Sequence, residues 1–227
     1  MNPIAHNLAA IRAAIEAACR RAGRDPAAVR LVAVSKTVDL ERIRQAVAAG
    51  QNLFGENYLQ EAREKIAALG RQVSWHLVGH LQTNKARPAV ELFDLIHAVD
   101  RIKLAQALDD AAFRQGKIQD ILIQVNQGGE DTKSGVAPEA AAALAQAVMR
   151  LPHLRLCGLM TMPPWFDDPE TVRPYFRDLR ELRDRLRAST GLALPELSMG
   201  MSGDFEAAVE EGATLVRVGT AIFGRRR

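Results

Sequence analysis

Short apolar runs alternate with longer amphipathic stretches along the whole chain. Runs rich in β-branched or other apolar residues occur at 31–36, 52–57, 74–80, 95–100, 120–126, 154–162, 196–201 and 214–223. Each has strand length and is bounded by polar or turn-forming residues. Between them, segments near 39–49, 58–69, 83–92, 101–115, 138–150, 169–189 and 203–211 carry apolar residues at helical spacing. Strand followed by helix, repeated, specifies right-handed parallel crossovers. Eight strands joined by such segments within 227 residues predict an α/β chain of the (β/α)8 TIM-barrel type, one domain over 1–227, with a doubly wound open sheet as the alternative. Ile4, Leu8, Ile11 and Ile15 form a stripe at the start of the chain. It reads as an additional N-terminal helix covering the core rather than a transit or membrane-surface helix, because Glu16 and Asp25 are out of place in a transit peptide.

Element boundaries have local chemistry behind them. Asp39 can cap the helix that follows the first strand, and Gly50, Gly70 and Gly191 can close three helices. Pro138 and Pro169 suit first helical turns. The polar, glycine-bearing stretch 127–137 reads as a loop over the end of strand five and as a lid.

Composition narrows the function classes. The net charge is +3, and the terminal Arg225, Arg226 and Arg227 account for it. The other basic residues are interspersed with acids and aromatics are sparse, which speaks against a nucleic-acid groove. Cys19 and Cys157 lack metal-ligand spacing and read as packing residues of a reducing compartment. With no span-length apolar run and no signal-peptide pattern, the expected location is the cytoplasm.

The chemistry sits at predicted strand ends. Lys36 closes the first strand, and a lysine can hold an aldehyde as a Schiff base. Ser202 ends strand seven, and Gly219 and Thr220 end strand eight. Their hydroxyls, and backbone left open by glycine, suit a phosphate cradle. Strands one and eight are neighbours once a barrel closes, so lysine and cradle would meet, and together they imply pyridoxal phosphate. Arg217 lies in an apolar strand and needs a partner, either a carboxylate of the barrel wall or the cofactor's pyridine nitrogen. His76 reads as a core histidine, His80 stands nearer the functional rim, and Met199 and Met201 read as packing residues.

Five segments carry a family resemblance: Val32 to Lys36, Phe54 to Tyr58, Trp75 to Lys85, Leu197 to Ser202, and Arg217 to Gly224. With them, nearly the whole chain resembles the pyridoxal phosphate homeostasis protein family, whose members are barrels like the N-terminal domain of alanine racemase. The resemblance implies that pyridoxal 5′-phosphate is bound, that Lys36 forms the internal aldimine, and that Arg217 faces the pyridine nitrogen. It further implies that Ser202, Gly219 and Thr220 hold the phosphate, with Asn57 and Val34 beside the ring. Departures are confined to a glycine pair, Gly128 and Gly129, and to the arginine tail.

The residues also bear on carrier against enzyme. Carbanion chemistry on this cofactor is strongest when an acid keeps the pyridine nitrogen protonated, and an always-charged guanidinium cannot accept a proton. A second domain bringing a second base is not expected after residue 224. The expected function is therefore a carrier and regulator of intracellular pyridoxal phosphate, vitamin B6 and amino-acid pools, a monomer without robust catalysis that passes cofactor to pyridoxal phosphate-dependent apoenzymes. A one-domain racemase of the alanine racemase type is the alternative. A lysine aldolase is weaker, since strand six ends in Leu159, Met160, Thr161 and Met162 without a lysine.

Overall fold

The computed structural model describes residues 2–70, 72–130, 134–164 and 166–224. The chain opens with α1 (Pro3–Arg21), then alternates: β1 (Arg30–Val34), α2 (Leu40–Ala48), β2 (Leu53–Glu56), α3 (Leu59–Leu69), β3 (Ser74–Leu77), α4 (Ala86–Leu92) and β4 (Leu95–Val99). It continues through α5 (Ile102–Arg114), β5 (Gln119–Val125), α6 (Ala141–Val148), β6 (Leu154–Thr161), α7 (Pro169–Thr190), β7 (Glu196–Ser198), α8 (Phe205–Glu210), β8 (Leu215–Val218) and α9 (Thr220–Phe223). The strands are parallel and close in chain order into an eight-stranded barrel, β8 returning to β1 with Ala33 opposite Val218.

Alternation along each strand separates two cores. Val32, Leu53, Leu95, Leu122, Met160 and Leu215 cluster inside the barrel. Leu31, Phe54, Trp75, Ile96, Ile121 and Val216 face outward into the larger core beneath the helices. Each such side chain stabilises by roughly 1.5–3 kcal/mol when fully buried. The mouth at the strand starts is polar and open to solvent. At the strand starts, Arg30 pairs with Glu196 at 2.5 Å and Arg155 grips Asp120 with two bonds of 2.6 Å.

The predicted caps are present. Asp39 accepts from the Arg42 amide, Asp168 caps the helix beginning at Pro169, and Gly191 ends it in a left-handed conformation. The N-terminal stripe is buried as expected, and α1 is tied to the end of the barrel by Asn7, which donates to the Ile222 carbonyl at 2.9 Å.

Several strand ends differ from the sequence reading: β3 stops at Leu77 instead of 80 and β7 at Ser198 instead of 201, so that Ser202 lies on the loop after β7. The run 214–223 is not one strand, because the chain leaves the sheet at Gly219 and Thr220–Phe223 form a helical turn, with the Phe223 amide bonded to the Gly219 carbonyl at 2.9 Å. A short apolar run reads alike as strand or buried helix, and here tertiary packing decided. Among the described residues no helix is long and apolar enough to cross a membrane.

Candidate functional site

Lys36 stands two residues past β1 on a turn that is held from below. Thr37 has φ 61°, an uncommon conformation for a β-branched residue. The Thr37 amide donates to Glu61 Oε2 at 2.8 Å. Beneath it, Lys65 Nζ donates to the Ser35 carbonyl at 2.7 Å and to Glu56 Oε1 at 2.8 Å, while Ser35 Oγ donates to the same carboxylate oxygen at 2.6 Å. Burial pushes the Glu56 carboxyl above its ordinary range, against the hydrogen bonds from Lys65 and Ser35. The buried cluster thus anchors the turn that carries Lys36 from three sides.

Beyond the ends of β7 and β8, Thr220 Oγ1 donates to Ser202 Oγ at 3.0 Å, and the Ala221 amide reaches the same hydroxyl at 3.4 Å. The backbone amides of Ser202, Gly203, Gly219 and Thr220 have no acceptor among the described residues. Four open N–H groups around two hydroxyls form a concave donor set of the kind an anion satisfies. A Cβ on Gly219 would stand 3.2 Å from the Val34 carbonyl oxygen, so a larger residue here would press on the end of β1. Asp204 shapes the loop from within by accepting from the Met201 amide at 2.5 Å.

Arg217 is 4% exposed. Its Nη1 donates to Ser198 Oγ at 2.6 Å and its Nη2 to the Thr161 carbonyl at 2.8 Å. Among the described residues no carboxylate lies within ion-pair distance, so the wall carboxylate considered from sequence is replaced by a hydroxyl and a carbonyl. Burial pushes the guanidinium down to about 10, with Asp204 opposing the shift. A buried cation is costly without strong acceptors, and of its five donors only two are used by these contacts.

These groups share one cavity of about 350 Å³ at the C-terminal ends of the strands. Val34, Lys36, Asn57, Ser202, Arg217, Gly219 and Thr220 all line it. Asn57 owes its place to Gly79, where a Cβ would fall 2.7 Å from the Asn57 backbone. The structure adds Val78, Met162, Phe166, Val172, Met201 and Asp204 to the wall. Met201 is therefore a wall residue rather than a packing residue alone, while Met199 is fully buried. Met162 and Phe166 come from the loop after β6, where no sequence period marks a residue that folds inward, and Val172 comes from the first turn of α7.

His76 and His80 lie outside this cavity. His76 is a core histidine, as expected. His80 Nδ1 instead meets Ser134 Oγ at 2.8 Å, and so holds the far end of the 127–137 loop, whose residues 131–133 lie outside the described residues.

The family described as alanine racemase, N-terminal domain, matches residues 6–227. The pyridoxal phosphate homeostasis protein of Aquifex aeolicus is 49% identical over 214 residues, covering 94% of each chain. The protein of the same description from Pseudomonas aeruginosa is 49% identical over 227 residues, covering 100% of this chain and 97% of its own. The solved structure of PipY from Synechococcus elongatus PCC7942 with pyridoxal phosphate bound superposes with a TM-score of 0.86 at 40% identity, covering 97% of this chain and 100% of that one. With its barrel and its strand-end cavity, the chain belongs to the alanine racemase N-terminal domain family and, within it, to the pyridoxal phosphate homeostasis proteins.

Proposed function

We propose that this chain binds pyridoxal 5′-phosphate, holds it on Lys36 as a Schiff base, and serves as a carrier and regulator of intracellular pyridoxal phosphate and amino-acid pools rather than as an enzyme. The observation that carries the reading is the convergence of an amine, an anion cradle and a buried guanidinium on one cavity. The fit is chemical as well as spatial. The open amides of Ser202, Gly203, Gly219 and Thr220 and the two hydroxyls suit a phosphate dianion, and the unused donors of Arg217 suit a neutral ring nitrogen. Val34, Asn57 and Met201 supply the flanks of a flat ring. The cofactor supplies an aldehyde carbon and an electron-withdrawing ring.

The chain's own residues then set what is done with it. Arg217 donates without accepting a proton, so the ring nitrogen stays neutral and its electron-withdrawing power stays weak. Within this reading the protein works as a monomer in the cytoplasm and releases the cofactor to pyridoxal phosphate-dependent apoenzymes.

The test is borohydride reduction of the protein incubated with pyridoxal 5′-phosphate, followed by peptide mapping, with absorbance recorded before reduction. A near-visible band and a reduced adduct on Lys36 are expected, both lost in Lys36→Ala. An adduct on Lys85, Lys103 or Lys133 in place of Lys36 would overturn the assignment.

A further inference from the structure

A second cavity, of about 490 Å³, opens at the opposite mouth of the barrel, among the starts of β1, β2 and β3 and the inner side of α1. Arg12, Arg30 and Glu16 contribute its charges, and Ile15, Val29 and Leu31 an apolar wall. Both guanidiniums are fixed, Arg12 by the Ala49 and Gly50 carbonyls at 3.1 and 3.0 Å, and Arg30 by Glu196 at 2.5 Å. His76, 4% exposed, also lines this cavity.

A hydrogen-bond chain runs from that histidine through the barrel to the first cavity. His76 Nδ1 lies 3.0 Å from His97 Nε2, His97 Nδ1 lies 2.9 Å from Ser198 Oγ, and Ser198 Oγ receives Arg217 Nη1 at 2.6 Å. The positions of the protons follow from Arg217, which can only donate. Ser198 must accept from it and turns its own proton toward His97 Nδ1. His97 then carries its proton on Nε2 and donates to His76 Nδ1, which leaves the His76 proton on Nε2. Both rings are neutral, since burial pushes His76 down to about 3 and His97 well below the ordinary histidine value. The chain therefore ends in an N–H that has no acceptor among the described residues, on a side chain more than nine-tenths buried at the edge of an open cavity.

We propose that this mouth of the barrel is a second ligand site, for a small organic monocarboxylate, joined to Arg217 through His76, His97 and Ser198. The class follows from the wall. An unpartnered donor on a wall shared with Arg12 and Arg30 asks for an anionic acceptor, Glu16 and the Glu196 paired with Arg30 oppose a dianion, and the apolar side accommodates a short hydrocarbon body. A carboxylate on His76 Nε2 polarises each bond of the chain in the same direction, makes Ser198 Oγ the stronger acceptor, and tightens its hold on the guanidinium. The coupling to bound cofactor rests on the function proposed above; the site itself does not.

The experiment is an NMR titration of protein with isotope-labelled histidine nitrogens, free of cofactor, with sodium butyrate replacing sodium chloride at constant ionic strength. Both histidines should show the Nε2–H tautomer, and the His76 signals should shift saturably. Arg30→Gln should weaken binding by about tenfold, as expected for loss of a charged hydrogen bond, and Arg30→Lys should recover part of it. An Nδ1–H tautomer at His76, or no saturation by roughly 100 mM, well above a millimolar dissociation constant, overturns the site. Inorganic phosphate binding as tightly as butyrate overturns the ligand class. In the cofactor-loaded protein, butyrate should move the near-visible band, and Ser198→Ala should abolish that movement while the NMR titration persists. A band that ignores bound butyrate in the unsubstituted protein overturns the coupling and leaves Lys36 and its cofactor untouched.

Discussion

The hydroxyls of Ser202 and Thr220 lie 3.0 Å apart with open backbone amides on either side, and in the proposed cradle each would turn its proton to the same anion. A hydrogen bond to a charged group contributes about 1.5–3 kcal/mol, so Ser202→Ala and Thr220→Val should each lower affinity for pyridoxal 5′-phosphate by roughly ten- to a hundredfold. Pyridoxal without the phosphate should bind both variants as it binds the parent. Equilibrium titration of the two ligands makes the comparison, and equal losses for both would move these residues out of the phosphate site.

At the scale of elements, the β2–α3 unit is built around a buried ion pair. Glu56 is fully buried at the end of β2, and Lys65, on the inner face of α3, reaches it at 2.8 Å while also holding the Ser35 carbonyl. Removing one partner of a buried pair leaves an uncompensated charge, so Lys65→Met should destabilise the protein by about 3–5 kcal/mol at neutral pH. Combining it with Glu56→Gln should restore part of the loss, because the buried charge is then gone. Urea unfolding of the two variants decides the matter, and a Lys65→Met protein within about 1 kcal/mol of the parent would mean that the pair does not hold the Lys36 turn.

The whole molecule bears the cost of two neutral histidines inside its barrel. Unfolded, each takes up a proton near pH 6.5, whereas in the fold burial holds His76 down at about 3 and keeps His97 well below its ordinary value. Below pH 6.5 the unfolded state therefore binds more protons, and stability should fall with pH by about 1.4 kcal/mol per unit for each histidine. Glu56, raised by burial, works in the opposite direction. Unfolding measured between about pH 6.5 and 5, above the usual carboxylate range, should show a flatter slope in a His76→Gln, His97→Gln double variant. An unchanged slope would mean that these rings are charged in the fold. The same scale separates carrier from racemase: loaded protein given L- or D-alanine in deuterated water should not exchange the α-proton at an enzyme-like rate. Exchange at about 1 per second or faster, followed by NMR, would favour a one-domain racemase.

The sequence by itself determined the repeating strand and helix units, the caps at Asp39 and Asp168, and the types of residue at the strand ends. These are local properties, written in periods of two and 3.6 residues and in side chains that bond their own backbone. It also carried the neighbourhood of Lys36, Gly219 and Thr220, because closure of an eight-strand barrel brings the first strand to the last. Tertiary structure decided the rest. Whether Ala221, Ile222 and Phe223 extend a strand or turn into a helix depended on the core that Ile222 and Phe223 cover. The partner of Arg217 came from Ser198, on the strand beside it in the barrel, and from Thr161, two strands away. The walls built by Met162, Phe166 and Val172, and the chain from His76 through His97 to Ser198, join residues far apart in sequence. Contacts of that kind are fixed only when the barrel closes and packing selects which side chains face one another.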